Sequence, residues 1–498
     1  MGNVEAAPYW LTRFCFQRLL GLIYFVAFLV TLNQFRGLIG DHGLTPVRLF
    51  LPRVKFWDAP SLFWMDHSDH FMLIIAWVGV VLSFLAMVGV SDSLGMFASV
   101  AIWFLLWLFY SSFVNVGQVF YSFGWEILLL EAGFLAIFLG SSNTAPPVAV
   151  IWLLRWILFR LMFGAGLIKL RGDECWRNLT CMMYHYETQP MPNPLSWYFH
   201  HLPPVIQKGS VVFNHFVELA VPWGLFFTGA VSSTAGVLTL IFQGLLIVSG
   251  NFSWLNFLTL VLCVSCFDDS FLRHLVPITH PVAAPMSFIR QGIVNTLVAV
   301  VLILSIHPVL NLISPRQIMN TSFDPLHLVN TYGAFGSITR ERMEIIMEGT
   351  DDPVITSATQ WREYEFKGKP GPIHQMPPQV APYHLRLDWL MWFAAMSSYR
   401  YYPWILNLAA KMLQNDKTVL ALIKKNPFPE APPKYVRAEL YHYQFTTPEE
   451  RRKTGNWWKR TRVEDYLPPL SLENSQYREI LKQQGWLESR GTARGAPT

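Results

Sequence analysis

The sequence predicts a polytopic α-helical membrane domain of about nine spans, followed by an α+β domain with a β-rich core. Three observations predict this fold: 52% of the 498 residues are hydrophobic, only 14% are charged, and the charges are unevenly spread. Soluble domains carry about 25% charged residues. Residues 313–498 hold 24 Lys or Arg and 19 Asp or Glu, more than half of all charges. We therefore expect a membrane domain over residues 1–312 and a water-facing domain over residues 313–498.

Nine apolar segments before residue 313 approach the length of a bilayer-spanning helix, which is about 20 residues. The fourth is interrupted by Glu126 and Glu131, and the seventh and eighth are separated only by Gly250 and Asn251. The first apolar segment is long enough to span a bilayer, and no small-residue cleavage site follows it. We therefore expect this segment to act as a signal anchor rather than as a cleaved signal peptide. The predicted spans are 17–35, 71–90, 94–114, 122–140, 148–168, 211–229, 232–249, 253–267 and 291–312.

The distribution of basic residues favours a cytosolic N-terminus. Arg13 and Arg18 flank the first span on its N-terminal side, and positive residues favour the cytosolic side of a membrane. Nine spans then place the loop 169–210 and the C-terminal domain in the lumen. The basic loop 36–55 is a contrary sign, because this topology places it in the lumen as well.

Two glycosylation sequons agree with the lumenal placement. Asn178 begins one in the loop 169–210, and Asn320 begins another just after the last predicted span. A third, at Asn251, lies too close to the predicted spans to be a good acceptor. We therefore expect glycosylation at Asn178 and Asn320.

The five cysteines divide into two groups. Cys175 and Cys181 share the loop with the Asn178 sequon, and in an oxidising lumen that spacing favours a disulfide over two free thiols. A zinc site is disfavoured because no second Cys/His pair has ligand spacing. The remaining three lie at or inside predicted spans and are interpreted as apolar packing residues: Cys15, Cys263 and Cys266.

Charged residues inside the predicted spans are costly, at about 2.5–3.5 kcal/mol each on insertion scales. They should face the interior of the helix bundle and pair. The carboxylates of the fourth span and the arginines of the fifth are both five residues apart, so antiparallel helices could match them as two ion pairs. A polar cavity or catalytic site is one interpretation, and ion pairs that fix helix packing are the other, which we favour. The residues are Glu126, Glu131, Arg155, Arg160 and Glu218, the last lying near His215.

After residue 313 the pattern becomes that of a soluble domain. Residues 362–367 and 435–443 alternate with the period of β-strands, whereas 385–413 and 416–425 have helical patterns. The segment 385–413 is rich in aromatic residues. Such rings usually belong to a core, but some can form an exposed patch that binds unfolded chains or lies on a bilayer.

No signature of an enzyme is present in the sequence. There is no glycine-rich phosphate loop, no G-x-S-x-G motif and no pair of histidines with metal-ligand spacing. We therefore predict no catalytic residue, cofactor or metal, and a binding or folding role. The net charge of +5 gives no reason to expect nucleic acid.

Several long and composition-rich strings are the most specific features of the sequence: 155–173, Cys175-Trp176-Arg177, 184–190, 192–194, 320–321, 329–339, 382–384, 386–395, Asn456-Trp457-Trp458 and 468–472. These strings resemble the lipase maturation factor family, and within it the first of two animal paralogues. The resemblance covers nearly the whole chain.

This resemblance implies a non-enzymatic chaperone of the endoplasmic reticulum membrane. The implied clients are secreted homodimeric lipases, namely lipoprotein lipase, hepatic lipase and endothelial lipase. Quality-control proteins of the endoplasmic reticulum and membrane lipid are the other expected partners. The family uses its C-terminal region for client contact, so we expect the client-binding side chains to include Trp389, Trp392 and Phe393.

Two alternatives stay open at the level of sequence. The membrane half also resembles, more distantly, the helical domain of the vitamin K-dependent carboxylase, and the buried charges would then belong to an intramembrane enzyme. The other alternative is a structural adaptor that links clients to quality-control machinery. Copurification of lipases would separate the chaperone from both.

Overall fold

The computed structural model describes residues 9–278 and 283–487. Within it the chain forms two compact units, and neither is one continuous segment. The first, helical unit comprises the chain up to Leu32, Val54–Arg340 and Pro378–His384. The second unit comprises Asn33–Arg53, Glu341–Pro377 and the chain from Leu385 onward. This division differs from the single boundary predicted at residue 312.

Six helices in the described residues are long and apolar enough to cross a membrane. The first is the 29-residue α1, and the sixth is α15 continued by α16. In chain order, the α-helices up to residue 313 are α1 (Trp10–Leu38), α2 (Val47–Phe50), α3 (Asp69–Met87), α4 (Val90–Ser93), α5 (Met96–Val116), α6 (Gly124–Ala136), α7 (Val148–Arg171), α8 (Glu174–Arg177), α9 (Met182–Thr188), α10 (Ser196–His200), α11 (Pro204–His215), α12 (Ala230–Ser249), α13 (Leu255–Cys263), α14 (Asp269–Leu272), α15 (Phe288–Leu304) and α16 (Ile306–Ile313).

The prediction of nine spans is not confirmed, because three of the nine segments form short or broken helices. The fourth is α6, with 13 residues, and the eighth is α13, with nine. The sixth breaks after α11 into a π-helical turn, Phe216–Ala220, and a 3₁₀ segment, Val221–Phe226. Pro222 lies in the 3₁₀ segment, and a proline has no N–H for the α-helical ladder. Further 3₁₀ turns are Leu51–Arg53, Phe56–Asp58, Leu62–Trp64, Gln118–Tyr121 and Val264–Cys266.

Two glycines allow the helices of the first unit to approach α1 closely. A Cβ at Gly133 of α6 would lie 1.8 Å from the Tyr24 hydroxyl oxygen, and one at Gly79 of α3 would lie 2.4 Å from the Phe28 ring. Both rings are on α1 and are fully buried. Small residues serve close packing in membrane helices in the same way. Alanine at either position would therefore require the facing ring or its helix to move.

The second unit contains a four-stranded antiparallel sheet in the order β2-β1-β3-β4. Strands β1 and β3 pair from Arg342 opposite Tyr443 to Thr350 opposite Tyr435. Strands β3 and β4 pair with three irregularities in register, typical of β-bulges. The strands are β1 (Arg342–Thr350), β2 (Arg362–Glu363), β3 (Tyr435–Phe445) and β4 (Trp458–Leu470).

Within the described residues, five helices of the second unit follow residue 341, and their bounds revise the predicted ones. The expected helix 385–413 is two helices separated at residues 396–403, and the expected helix 416–425 is a single turn. Strand β3 confirms the strand predicted at 435–443, whereas the strand predicted at 362–367 is reduced to two residues. The helices are α17 (Arg386–Ala395), α18 (Trp404–Leu413), α19 (Lys417–Leu420), α20 (Pro448–Thr454) and α21 (Ser475–Gln483).

Candidate functional site

Glu131 of α6 and Arg160 of α7 form an ion pair in the interior of the helical unit. Each residue is 1% exposed. The carboxylate also accepts hydrogen bonds from the Asn330 backbone N–H at 3.1 Å and from the Tyr332 hydroxyl at 2.6 Å. The Arg160 guanidinium donates to the Asn330 carbonyl at 2.5 Å. Because Asn330 bonds to both charged groups, the ion pair holds the segment around Asn330 against α6 and α7.

The two carboxylates and two arginines form one ion pair rather than the two that antiparallel helices could match, because Arg155 pairs with neither carboxylate in the part of the chain that the structure describes. Arg155 donates instead to the carbonyls of Ser265 and Phe227, each at 2.8 Å. Glu126 accepts a short hydrogen bond from the Tyr110 hydroxyl. The irregular backbone after α11 and α13 exposes carbonyls that an α-helix would use itself, and these provide acceptors for Arg155.

Glu218 pairs with a lysine that the sequence analysis did not identify. The Lys169 ammonium lies 2.6 Å from one carboxylate oxygen of Glu218, and Asn214 donates to the other at 2.8 Å. Lys169 also donates to the Asn214 side-chain oxygen at 3.0 Å. His215, which was expected near Glu218, instead has its Nε2 atom 3.0 Å from the Trp176 carbonyl oxygen. Lys169 stands at the end of a predicted span, where a basic residue is typical of a membrane flank.

A cavity of about 280 Å³ lies beside this pair, and we call it the Lys169 cavity. Its walls come from α7, α11, α12, α13 and the short helices α9 and α10, all in the helical unit. Most of its lining side chains are apolar. The lining residues that carry polar side-chain groups are Lys169, Trp176, His185, Tyr186, Ser210, Asn214, Glu218, Gln243, Ser249, Asn256 and Thr259.

The loop 169–210 contains the disulfide that the sequence predicted. Cys175 and Cys181 are bonded, with a Cα–Cα distance of 4.8 Å, and pack with Trp176 and Val211 in a small apolar cluster. Free thiols remain at Cys15, Cys263 and Cys266. Hydrogen bonds from the Arg340 guanidinium to Asp173, which begins α8, hold the pKa of that carboxyl at about 2, below its usual value.

The three sequons differ in accessibility. Asn178 and Asn320 are exposed. Asn251 is fully buried, and its amide donates to the Pro192 and Pro378 carbonyls at 3.1 and 2.9 Å. In this fold the Asn251 side chain has no room for a glycan, so this sequon is not expected to be glycosylated.

Fewer aromatic side chains of α17 reach the surface than the sequence suggested. Trp389 is 4% exposed and belongs to the core of the second unit, whereas Trp392 and Phe393 are half-buried and their ring centroids are 5.0 Å apart. Exposed Met396 and Tyr401 follow them in the chain. The candidate client-contact surface, which we call the α17 patch, is therefore Trp392, Phe393, Met396 and Tyr401, without Trp389.

Arg386 and Asp388 lie next to the aromatic residues of α17 in the sequence, but both are buried, so neither forms a polar rim around the α17 patch. Asp388 accepts hydrogen bonds from the backbone N–H groups of Gly368 and Lys369, at 2.6 and 3.0 Å. Burial raises the pKa of this carboxyl above its ordinary value. Asp388 thus holds the loop at Gly368 and Lys369 against α17.

The helical unit and the sheet-containing unit together define a class of multi-pass membrane protein with a small antiparallel domain. Residues 11–274 match the family model described as the lipase maturation factor transmembrane domain, and residues 328–468 match the lipase maturation factor C-terminal domain. No solved structure matches the chain.

Named relatives agree with these domains. The chain is 44% identical over 530 residues to lipase maturation factor 1 of Mus musculus, covering 97% of this chain and 91% of the mouse protein. It is 43% identical over 528 residues to that of Homo sapiens, with 97% and 92% covered. Lipase maturation factor 2 of Xenopus laevis is 31% identical over 609 residues, with 95% and 84% covered. The chain belongs to the lipase maturation factor family, and the carboxylase-like alternative is not favoured.

Proposed function

We propose that this chain is a non-enzymatic maturation factor of the endoplasmic reticulum membrane that holds secreted lipases while they fold and form dimers. The observation that carries the proposal is the match of both family domains, together with 43–44% identity to proteins named lipase maturation factor 1. The proposed clients are lipoprotein lipase, hepatic lipase and endothelial lipase.

A lumenal position of the loop 169–210 and of the second unit is part of the proposal. The disulfide between Cys175 and Cys181 supports it, because such bonds persist in oxidising compartments. The exposed sequon at Asn178, which lies between the two cysteines, supports it as well. A helper on this side would meet lipases as they enter the secretory pathway.

The α17 patch is the proposed surface for client contact. Trp392 and Phe393 offer aromatic area partly fixed by packing, and Met396 and Tyr401 extend it into solvent, with Tyr401 80% exposed. Aromatic side chains carry much of the binding energy at protein interfaces, at about 2 kcal/mol or more for each important residue. Unassembled lipases that expose apolar surface would aggregate unless that surface is covered.

The proposal is tested by isolating the full chain from microsomes with each of the three lipases coexpressed. We expect the native chain to copurify with the lipases, and the variant Trp392→Ser with Phe393→Ser to lose them while keeping its abundance. The matched control is Val354→Ser with Ile355→Ser, which removes an exposed apolar pair from the same unit. It should retain the lipases.

Two outcomes contradict the proposal. Recovery of quality-control proteins without any lipase would favour the adaptor. Equal lipase recovery from the α17 variant and the control would place client contact elsewhere. Ending the chain near Tyr402 is a poor substitute for these variants, because it removes β3 and β4, half of the sheet.

A further inference from the structure

The Lys169 cavity has the dimensions and walls of a small-molecule site. Its volume of about 280 Å³ lies just below the usual range for ligand pockets, about 300–1,000 Å³, so one small ligand would fill it. Leu161, Phe213, Phe242, Leu246 and Phe252 contribute apolar wall. A ligand that fills it must therefore be mostly hydrocarbon.

The charged groups of the cavity are already neutralised. Lys169 and Glu218 pair at 2.6 Å, and Asn214 hydrogen bonds to both. Burial and the nearby Lys169 ammonium lower the pKa of His185 to about 3, so its imidazole is neutral near pH 7. An ionised head group would enter this site without a counter-charge, which a low-dielectric environment strongly disfavours.

Two buried polar atoms in the lining lack partners. Among the residues that the structure describes, neither Gln243 Oε1 nor His185 Nδ1 has a hydrogen-bond partner, and both side chains are at least 95% buried. The other end of the Gln243 amide makes only a weak contact with Met162 Sδ at 3.5 Å. Buried polar groups are normally paired, so a hydroxyl group in the cavity would complete their hydrogen bonding.

The side of the cavity formed by α11 and α12 is apolar and exposed. Leu245 of α12 and Ile206 of α11 line the cavity and are 46% and 52% exposed. Ile241 and Val248, which flank Leu245 on α12, are also exposed. Because α12 is one of the six candidate spans, this side is suited to acyl chains rather than to water.

We propose that the Lys169 cavity binds one uncharged lipid with a hydroxyl head group, which enters from the bilayer past Leu245. The hydroxyl lies between Gln243 and His185, and the hydrocarbon lies along Phe213, Phe242 and Leu246. A sterol and a monoacylglycerol share this chemistry, and the experiment below distinguishes them.

The test uses the full chain in nanodiscs and three lipid probes that carry the same photoactivatable group: a sterol, a monoacylglycerol and a fatty acid ionised at pH 7.5. Crosslinked peptides are mapped by mass spectrometry. We expect at least one uncharged probe to label α12 or α9, to be displaced by its unlabelled form, and to outcompete the fatty acid. The stronger uncharged probe identifies the source of the lipid.

Variants separate the cavity from the general lipid-facing surface. Leu246→Trp fills the cavity and should abolish the displaceable labelling, whereas Val237→Trp, at an exposed position of the same helix two turns before Leu245 and outside the cavity lining, should leave it unchanged. Gln243→Leu keeps the side-chain volume and should weaken competition by the uncharged lipid about fivefold, the effect of one lost hydrogen bond.

Three results would overturn the proposal: fatty acid labelling as strong as that of both uncharged probes, labelling of Leu246→Trp equal to that of Val237→Trp, or unchanged competition in Gln243→Leu. If Leu246→Trp does not fold, the Gln243→Leu comparison decides alone.

Discussion

At the scale of single residues, His185 makes the stability of the helical unit depend on pH. Burial and Lys169 lower the pKa of this histidine from 6.5 to about 3. The unfolded chain binds the proton more readily, so the contribution of His185 to stability is fully present above pH 6.5. It is lost progressively as the pH falls towards 3.

We predict that the native chain loses about 2 kcal/mol between pH 7.5 and pH 5 through His185 alone. His185→Gln removes the titrating group, so its thermal unfolding temperature should fall less over that range. The measurement is thermal unfolding in detergent at both pH values. His274→Gln, which changes an exposed histidine, is the control and should follow the native slope. The same slope for His185→Gln would show that the imidazole is not buried.

The buried pair of Glu131 and Arg160 carries a second prediction. Glu131→Gln leaves the Arg160 charge in the interior without its counter-charge, so we expect a loss of about 3–5 kcal/mol and low abundance. Adding Arg160→Met should restore part of the abundance, because the isolated charge is removed. Asp351→Asn, which breaks the exposed pair with Arg362, should have little effect on abundance.

Immunoblotting of membranes, normalised to messenger RNA, measures this effect. Recovery in the double variant should be incomplete, since Asn330 and Tyr332 also donate to the Glu131 carboxylate. Normal abundance with abolished lipase maturation in Glu131→Gln would make this pair functional and would revive the enzyme alternative.

At the scale of elements, α17 contains two tryptophans with different roles. We predict that Trp389→Ala destabilises the second unit by about 3–5 kcal/mol, because a large core side chain is removed. Trp392→Ala should leave that unit folded, since its side chain is only half-buried. Limited proteolysis of microsomes opened with mild detergent distinguishes them. Equal protease resistance of the two variants would contradict this assignment.

The sequence predicted strand β3 but not its neighbour β1. β3 alternates in the expected period, whereas eight of the nine residues of β1 are buried, so no alternation is visible. The charges of β1 also hid it: Glu344 is fully buried because Arg342 and Lys369 pair with it at 2.6 and 2.9 Å. Lys369 is 25 residues from Glu344 in the sequence, and the burial of the Arg342–Glu344 pair depends on the rest of the fold. Local sequence patterns therefore reveal neither pair.

The candidate sites were also predictable to different degrees, depending on whether their contacts are local or join distant parts of the chain. The bond between Cys175 and Cys181 is local, and six residues of separation sufficed to predict it. The partners of Arg155 depend on where distant helices break, and the partner of Glu126 depends on the packing of α6 against α5; hydropathy shows neither. Lys169 was missed because a lysine at the end of a span resembles an ordinary membrane flank until Glu218 is placed beside it.

At the scale of the whole molecule, the number of spans decides which compartments the two ends face. Six candidate spans would return the chain to the side on which it began, whereas nine would not. A lumenal second unit combined with a cytosolic N-terminus therefore requires an odd number of crossings. One of the short segments, such as α6 or α13, would then have to complete a crossing.

We predict that the native chain carries glycans at Asn178 and Asn320, and that endoglycosidase treatment increases its mobility on gels. Asn178→Gln with Asn320→Gln should remove this shift, and the control Asn251→Gln should not create or remove one, because Asn251 is buried. Protease treatment of intact microsomes should spare a C-terminal tag. A digested tag would place the second unit in the cytosol.

The edge strand β4 has a consequence for the proposed role of holding lipases while they fold. A free strand edge is a template on which other polypeptides can extend a sheet and aggregate. β4 is 13 residues long, but it carries Pro468 and Pro469 and several exposed charges: Lys459, Arg462, Glu464 and Asp465. A proline has no backbone N–H to donate to an added strand, and exposed charges on an edge strand disfavour pairing with another strand. These features of β4 disfavour the addition of a foreign strand to the sheet of the second unit.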